Sequence, residues 1–226
     1  MVKVSVTQPS LSIDPKRVWQ RMGHRDPEQV KPRVKKAFEA IYPQALALLR
    51  PRVAYRVLEL TDIDVGTHTL NTPEAHFSSS DLIRLFGHAK QLAAFVVSVG
   101  AELEAEVKRR SENNQDLLNA YFLDVVASEA LMVLIRNLRT RIQTDLDAQG
   151  KAAVVTRYWY CPGYGNWDVR DQVPLFAALQ NEAKQVGVRL NSHCAMIPRK
   201  SYSGLFGIGP ALAQDPWNSD IAWVAR

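Results

Sequence analysis

The residues best suited to chemistry lie in the short segment Tyr160–Trp167. The Pro-Gly dipeptide at positions 162 and 163 predicts a turn after a strand, and such a turn leaves backbone N–H and C=O groups with no side chain in front of them. Tyr164 and Trp167 could cover a flat ligand, and Arg157 could bind a carboxylate. The alternative is a surface turn whose aromatic rings lie in the core, which a Pro-Gly dipeptide alone favours.

A second segment, Ala195–Phe206, strengthens the ligand interpretation. It fits the pattern A-M-x-P-x-x-S-x-S-G-L/W, and a Q-x-x-L-F pattern at Gln172–Phe176 lies between it and the turn. In this order the three pieces resemble the activation domain of cobalamin-dependent methionine synthase. Two upstream pieces, Gly87–Leu103 and Asn119–Asp124, resemble elements of the free-standing form of that domain, so the resemblance covers roughly residues 50 to 206.

The resemblance implies a site for S-adenosylmethionine. In the family the turn holds the ligand, an arginine before the turn binds its carboxylate, and a glutamate on the long helix faces its amino group. Trp159 occupies the usual arginine position, but residues 157 and 159 are expected on one face of a strand, so Arg157 is the candidate. The implied ligand-binding residues are Arg157, Cys161, Pro162, Gly163, Tyr164, Glu129, Ser203 and Gly204.

Glu129 is the preferred helix carboxylate because its sequence neighbours are apolar. A charge buried there is costly without a partner, which suggests a cationic ligand or an arginine beside it. Asp124 is the rival, and an ordinary surface glutamate is the third possibility. The family's tyrosine beyond the last strand has no counterpart after Gly207–Pro210.

The resemblance further implies action in trans. The family's domain presents S-adenosylmethionine to a cobalamin, and this chain contains no D-x-H-x-x-G pattern that would offer a histidine to cobalt. The implied partners are therefore a cobalamin-bearing methyltransferase or corrinoid protein and a flavodoxin-like electron donor. A docking face is expected around Tyr164, Trp167 and residues 201–206. Two alternatives remain: a binding module of the same fold without S-adenosylmethionine, and a small-molecule enzyme with Cys161 as a reactive thiol.

Composition fits this interpretation without suggesting it. The chain has 226 residues, 46% hydrophobic content and a net charge of +5, with no basic cluster of the kind that binds nucleic acid. No uninterrupted apolar run reaches the length of a membrane span, and no signal peptide is recognisable, so no membrane is expected and the expected compartment is the cytoplasm. Cys161 and Cys194 are expected to be free thiols. His68 and His76 match no metal-ligand spacing.

The order of elements predicts an α+β fold with a mixed or antiparallel central sheet and flanking helices, because strands and helices do not strictly alternate. Residues 1–50 are interpreted as an N-terminal helical arm and residues 51–226 as the body. Predicted helices cover 14–22, 27–49, 80–87, 101–112, 117–146 and 171–185. Predicted strands cover 53–60, 67–70, 92–99, 152–160, 188–193 and 201–208, and a tail from Asp215 is expected to dock through its tryptophans.

Overall fold

The computed structural model describes residues 4–7, 9–114 and 116–210, with only the backbone of residues 4–7. The tail from Asp215 lies outside the described residues. The strands are β1 (Val4–Thr7), β2 (Arg52–Glu59), β3 (Asp62–Asp64), β4 (Thr69–Asn71), β5 (His76–Ser78), β6 (Gln91–Ser98), β7 (Val154–Val155), β8 (Arg189–Leu190), β9 (Met196–Ile197) and β10 (Ser201–Gly209). The helices are α1 (Pro15–Arg21), α2 (Pro32–Leu48), α3 (Ser80–Phe86), α4 (Glu102–Ser111), α5 (Leu117–Asp147), α6 (Gln172–Leu179) and α7 (Asn181–Val186).

The central sheet has five strands in the order β1-β2-β6-β10-β7, and every neighbouring pair is antiparallel. Small two- and three-stranded sheets, β8-β9 and β3-β4-β5, lie outside it. The predicted α+β class with an antiparallel central sheet is thereby confirmed. Strand β6 is apolar at nearly every position because both of its faces are covered, as its composition predicts.

The two faces of the sheet carry separate hydrophobic clusters. Phe95 and Val97 point into one cluster with α1, α2 and α5, whereas Ala94 and Val96 point into the other with α3, α6 and α7. This split follows from the alternation of side chains along a strand. The fold is therefore a helical layer, the sheet, and a second layer of shorter helices.

Helix α5 is the core helix of the first layer. It has 31 residues, and by length and composition alone it could cross a membrane. However, 67% of its apolar 18-residue segment is buried within the fold. Core helices of soluble proteins show the same combination. Its buried positions include Phe122, Val126 and Ile135, which contact the sheet cluster.

The N-terminal residues contribute to the central sheet and to the first helical layer. Strand β1, which the sequence patterns did not predict, pairs with β2 as an edge strand. Trp19 of α1 and Phe38 of α2 share a cluster with Phe122 of α5, with ring centroids 4.6–6.1 Å apart. The proposed domain boundary at residue 50 stays a prediction. Helices α1 and α2, which precede it, pack directly on α5.

Four predicted elements are corrected by the structure. The strand expected at 152–160 is limited to the two residues of β7. The Arg139 guanidinium donates hydrogen bonds to the carbonyls of Val155 and Thr156, and the chain then bends at Arg157. The helix expected at 171–185 divides into α6 and α7 at Gln180, whose φ is 51°. The strand expected at 188–193 is the two-residue β8, and the helix expected to begin at residue 27 begins at Pro32 after a short 3₁₀ turn.

Candidate functional site

The Pro-Gly turn is closed by its own hydrogen bonds. Tyr160 forms an isolated bridge to Leu205 of β10, with N–O distances of 3.1 and 2.9 Å. Beyond it the Gly163 N–H donates to the Trp167 carbonyl at 2.8 Å, and the Tyr164 N–H donates to the Cys161 carbonyl at 3.1 Å. Gly163 is exposed and has a φ of 93°, which favours glycine. The turn lies where the sequence predicted it, but these two backbone donors already have partners.

Trp167 belongs to the core rather than to a ligand surface. It is 1% exposed, and its indole stacks on Tyr160 with ring centroids 5.9 Å apart and an interplanar angle of 8°. Its Nε1 donates to the Asp171 carboxylate at 2.7 Å. For this residue the alternative of an aromatic ring buried under the turn is correct.

Tyr164, Tyr202 and Cys161 form a cluster directly behind the turn. The Tyr164 and Tyr202 hydroxyls are hydrogen-bonded to each other, and Tyr202 also bonds the Cys161 sulfur. Burial raises the pKa of the Cys161 thiol well above its ordinary value, and the bond with Tyr202 only partly opposes it. Burial also raises the pKa values of Tyr164 and Tyr202. Cys161 is 3% exposed, so the hypothesis of a reactive thiol is wrong for this structure.

Asp81, at the first turn of α3, anchors the turn from the other side. Its Oδ2 accepts from the Tyr160 hydroxyl at 2.7 Å and from the Asn166 N–H at 3.2 Å, and Arg84 donates to its Oδ1 at 2.9 Å. Burial alone would raise the pKa of Asp81, but these donors hold it below the usual range. Sequence reasoning predicted a helix over 80–87 but missed this role of Asp81, because the two segments are 85 positions apart.

Ser203 and Gly204 of β10 contact α6 and the turn, respectively. The buried Ser203 hydroxyl donates to Gln172 Oε1 at 2.6 Å, which joins β10 to the start of α6. A Cβ at Gly204 would lie 2.5 Å from the Tyr160 carbonyl oxygen and 2.8 Å from Cys161 Sγ, so the turn approaches β10 only because position 204 has no side chain. The same burial contradicts the expected docking face, since Trp167 and most of residues 201–206 are covered.

An open cleft lies where the residues before β10 face α4 and the first turns of α5. Its volume is about 680 Å³. Lys200 bridges to α5, donating to Asp124 Oδ1 at 2.8 Å and to Ser128 Oγ at 2.9 Å. The Arg199 N–H donates to Glu104 Oε2 at 2.7 Å. The lining residues are Ala101, Glu104, Ala105, Val107, Lys108, Ser111, Asp124, Ile197, Pro198, Arg199 and Lys200.

Glu129 lies outside this cleft and is satisfied by arginines. It is 3% exposed, and its two carboxylate oxygens accept from Arg21 at 3.0 Å and from Arg136 at 2.7 Å. Sequence reasoning left two possible partners for a buried Glu129 charge, a cationic ligand or an arginine. The structure shows arginines. Of the two helix carboxylates, Asp124 is the one that reaches the cleft.

Arg157 is also remote from the cleft. It lies in an exposed bend, whereas Trp159 is buried against Phe206, so the expectation that both share one strand face is wrong. Thr156 is bonded to Gly207, and Lys200 lies seven positions before Gly207 along extended chain, a distance of about 23 Å. The structure thus groups Cys161, Pro162, Tyr164, Ser203 and Gly204 around the turn, and Arg157 and Glu129 elsewhere.

No metal centre is found among the described residues, in which no group of three or more His, Cys, Asp or Glu side chains lies close enough to hold an ion. His76 instead bonds Asn71 at 2.7 Å, and His68 is exposed in a turn. Cys161 and Cys194 are both free, as expected.

No protein-family model matches the chain, and no curated protein matches its sequence. Its fold is similar to that in the crystal structure of the MetH reactivation domain bound to AdoHcy, with a TM-score of 0.62 and 18% sequence identity. The similarity covers 94% of this chain and 82% of that chain. At this level of identity the comparison shows the fold, and it supports the likeness in fold that the sequence motifs suggested.

Proposed function

We propose that this chain binds S-adenosylmethionine in the cleft between α4, the start of α5 and residues 197–200. The observation that carries the proposal is the position of the cleft. It is built from the Ile-Pro-Arg-Lys part of the segment that resembles the methionine synthase activation domain, in a fold similar to a domain solved with AdoHcy. Its volume falls within the range of small-molecule sites.

The side chains of the cleft match the charges of this ligand. Asp124 and Glu104 offer carboxylates to the ammonium and sulfonium groups, and Lys200 and Lys108 offer ammonium groups to the carboxylate. Ile197, Pro198 and Val107 provide an apolar wall for the adenine. In this proposal Asp124 and Lys200 take the roles that sequence reasoning gave to Glu129 and Arg157.

The chain would act in trans, in reductive reactivation of a cobalamin-bearing methyltransferase or corrinoid protein that receives its electron from a flavodoxin-like donor. An open cleft suits this role because the ligand's methyl group must reach a cofactor held by another protein. The chain's own residues would bind and orient S-adenosylmethionine, while the cobalamin of the partner would accept the methyl group.

Isothermal titration tests the binding proposal. An open site that buries little of the ligand predicts micromolar or weaker affinity. Asp124→Asn and Lys200→Met should each weaken binding about tenfold, since each removes one charged contact, whereas Arg157→Gln, the matched change outside the cleft, should leave it unchanged. No heat at millimolar S-adenosylmethionine, with or without a corrinoid partner, would overturn the proposal.

Methyl transfer tests the action in trans. The purified chain would be mixed with a corrinoid protein of the same genome, an electron donor and S-adenosylmethionine, and the conversion of cob(II)alamin to methylcobalamin followed by absorbance. A rate equal to that without the chain, for every such corrinoid protein, would reject reactivation.

A second candidate, a module of the same fold that no longer binds this ligand, is favoured by two observations. Asp124 and Lys200 already neutralise each other at 2.8 Å, and the N–H groups of Gly163 and Tyr164 are bonded within the turn. A flat titration together with intact folding would select this candidate.

A further inference from the structure

Arg139 of α5 is fixed in place by the backbone that it contacts. Its Nε donates to the Thr156 carbonyl at 2.8 Å, and its Nη2 donates to the Val155 carbonyl at 3.0 Å. These two nitrogens form one edge of the guanidinium fork, so the other edge, which contains Nη1, stays available for a further acceptor. The half-buried Arg139 side chain is therefore an ordered cation with donors to spare.

A second guanidinium belongs to the next residue along this backbone. Arg157 follows Thr156 directly, and its side chain is exposed at the bend. Burial lowers the pKa of the Arg139 guanidinium, and the positive charge of Arg157 lowers it further, so the two charges are close enough to interact. Like charges at such proximity repel each other unless an anion neutralises them.

No carboxylate neutralises this pair in the part of the chain that the structure describes. The partners of Arg139 are carbonyls without net charge, and Arg157 forms no ion pair there. Glu129 is already bonded at both carboxylate oxygens, to Arg21 and to Arg136. Because Arg136 and Arg139 are three positions apart on α5, their side chains are neighbours on the helix surface. The surface around Arg139 thus carries a surplus of positive charge.

The geometry points to a binding site for a phosphate group between the free edge of Arg139 and the guanidinium of Arg157. A phosphate group offers at least three terminal oxygens, enough for two guanidinium forks, whereas a carboxylate offers two. Arg136 adds positive charge beside the site. The site lies beside β7, which pairs with the end of β10, whereas the cleft lies before the start of β10. It is therefore separate from the cleft and does not depend on the proposed function.

The Arg139 Nε–H signal in proton–nitrogen correlation NMR tests the site directly, since its hydrogen bond to Thr156 slows exchange with water. Inorganic phosphate, exchanged for sodium chloride at constant ionic strength, should shift this signal with a dissociation constant of about 1 mM. Acetate should bind at least about fivefold more weakly, because it cannot serve both forks. Phenyl phosphate distinguishes the two sources of the group: a matching shift selects a phosphate ester, and no shift selects the free ion.

Arg157→Gln should weaken phosphate binding at least about fivefold without unfolding the chain, since its side chain is exposed. Arg109→Gln, which removes an exposed arginine from α4, is the matched control and should bind phosphate as the wild type does. An Arg139 signal that moves equally with chloride, or equal phosphate affinity in the two variants, would overturn the site.

Thermal unfolding provides a second measurement that needs no signal assignment. At equal ionic strength, phosphate should raise the Tm of the wild type and of Arg109→Gln more than that of Arg157→Gln, because only a folded site binds the ion. The same rise in all three proteins would show that phosphate acts elsewhere and would overturn the site.

Discussion

Replacement of Gly204 by alanine should be among the most damaging single-methyl additions to this chain. The added Cβ would lie 2.5 Å from the Tyr160 carbonyl oxygen, a backbone atom that cannot rotate away. Relief requires Tyr160 to move off β10, which breaks its hydrogen bonds to Leu205 at 2.9 and 3.1 Å.

The cost can be worked out from these contacts. Two lost backbone hydrogen bonds account for about 2 kcal/mol, and the overpacking against Cys161 Sγ and Phe95 adds about 1–3 kcal/mol. Gly204→Ala should therefore lower the free energy of unfolding by about 3–5 kcal/mol, which for a chain of this size lowers Tm by about 6–20 °C.

Two other glycines provide controls. Gly207→Ala places its Cβ 2.8 Å from Phe86 Cδ1, a side-chain atom that can shift, so a smaller loss is expected. Gly23 has nothing within 4 Å and a φ of 88°, so Gly23→Ala isolates the backbone strain of about 1 kcal/mol. Thermal and urea unfolding of the three variants would measure the order. A Gly204→Ala protein as stable as Gly23→Ala would refute the reasoning.

Three further predictions concern the turn, the ion pairs of Glu129 and the titration of Asp81. Gly163→Val should leave the chain folded and S-adenosylmethionine binding unchanged in titration, since Gly163 lies outside the lining of the cleft and a Cβ there meets only Val169 at 3.7 Å, with backbone strain of about 1–2 kcal/mol; a folded variant that no longer binds would place the ligand at the turn instead. Glu129→Ala should lower stability to urea by about 2–3 kcal/mol and Arg21→Ala by less, because Arg136 still satisfies the carboxylate; equal losses would count against it. The pKa of Asp81 is depressed in the fold, so its stabilising contribution should be complete above the ordinary value of 3.8 and lost as the pH falls below it; an Asp81→Asn protein that differs from wild type as much at pH 3 as at pH 6 would exclude this linkage.

Elements with strong local patterns were predictable from the sequence. The apolar run of β6 and the periodic apolar positions of α5 fix both elements within about two residues of the predicted ends. Asp14 caps α1 by accepting from the Lys16 N–H at 2.8 Å, as its position before Pro15 suggests. These signals lie within a few residues of the structure that they specify.

Features set by distant contacts were not predictable. The end of β7 depends on Arg139, and the break between α6 and α7 coincides with the Gln180 side chain accepting from Arg56 at 3.0 Å, 124 positions away. Strand β1 has only four residues and pairs along one edge, so its pattern is too short to stand out. The site shows the same limit: the turn was found from its Pro-Gly dipeptide, but the lining of the cleft depends on how α4 and α5 meet residues 197–200.

The position of β10 has a consequence for how the chain folds during synthesis. This strand lies inside the central sheet, between β6 and β7, yet it is the last of the described strands to leave the ribosome. Its pairing with β6 joins residues that are at least 103 positions apart along the chain, the separation of Ser98 and Ser201. Until β10 emerges, one edge of β6 stays unpaired and the part of α5 that packs on β10 stays uncovered. The nascent chain then exposes aggregation-prone surface, and the sheet is completed only late, through contacts between residues that are distant in sequence.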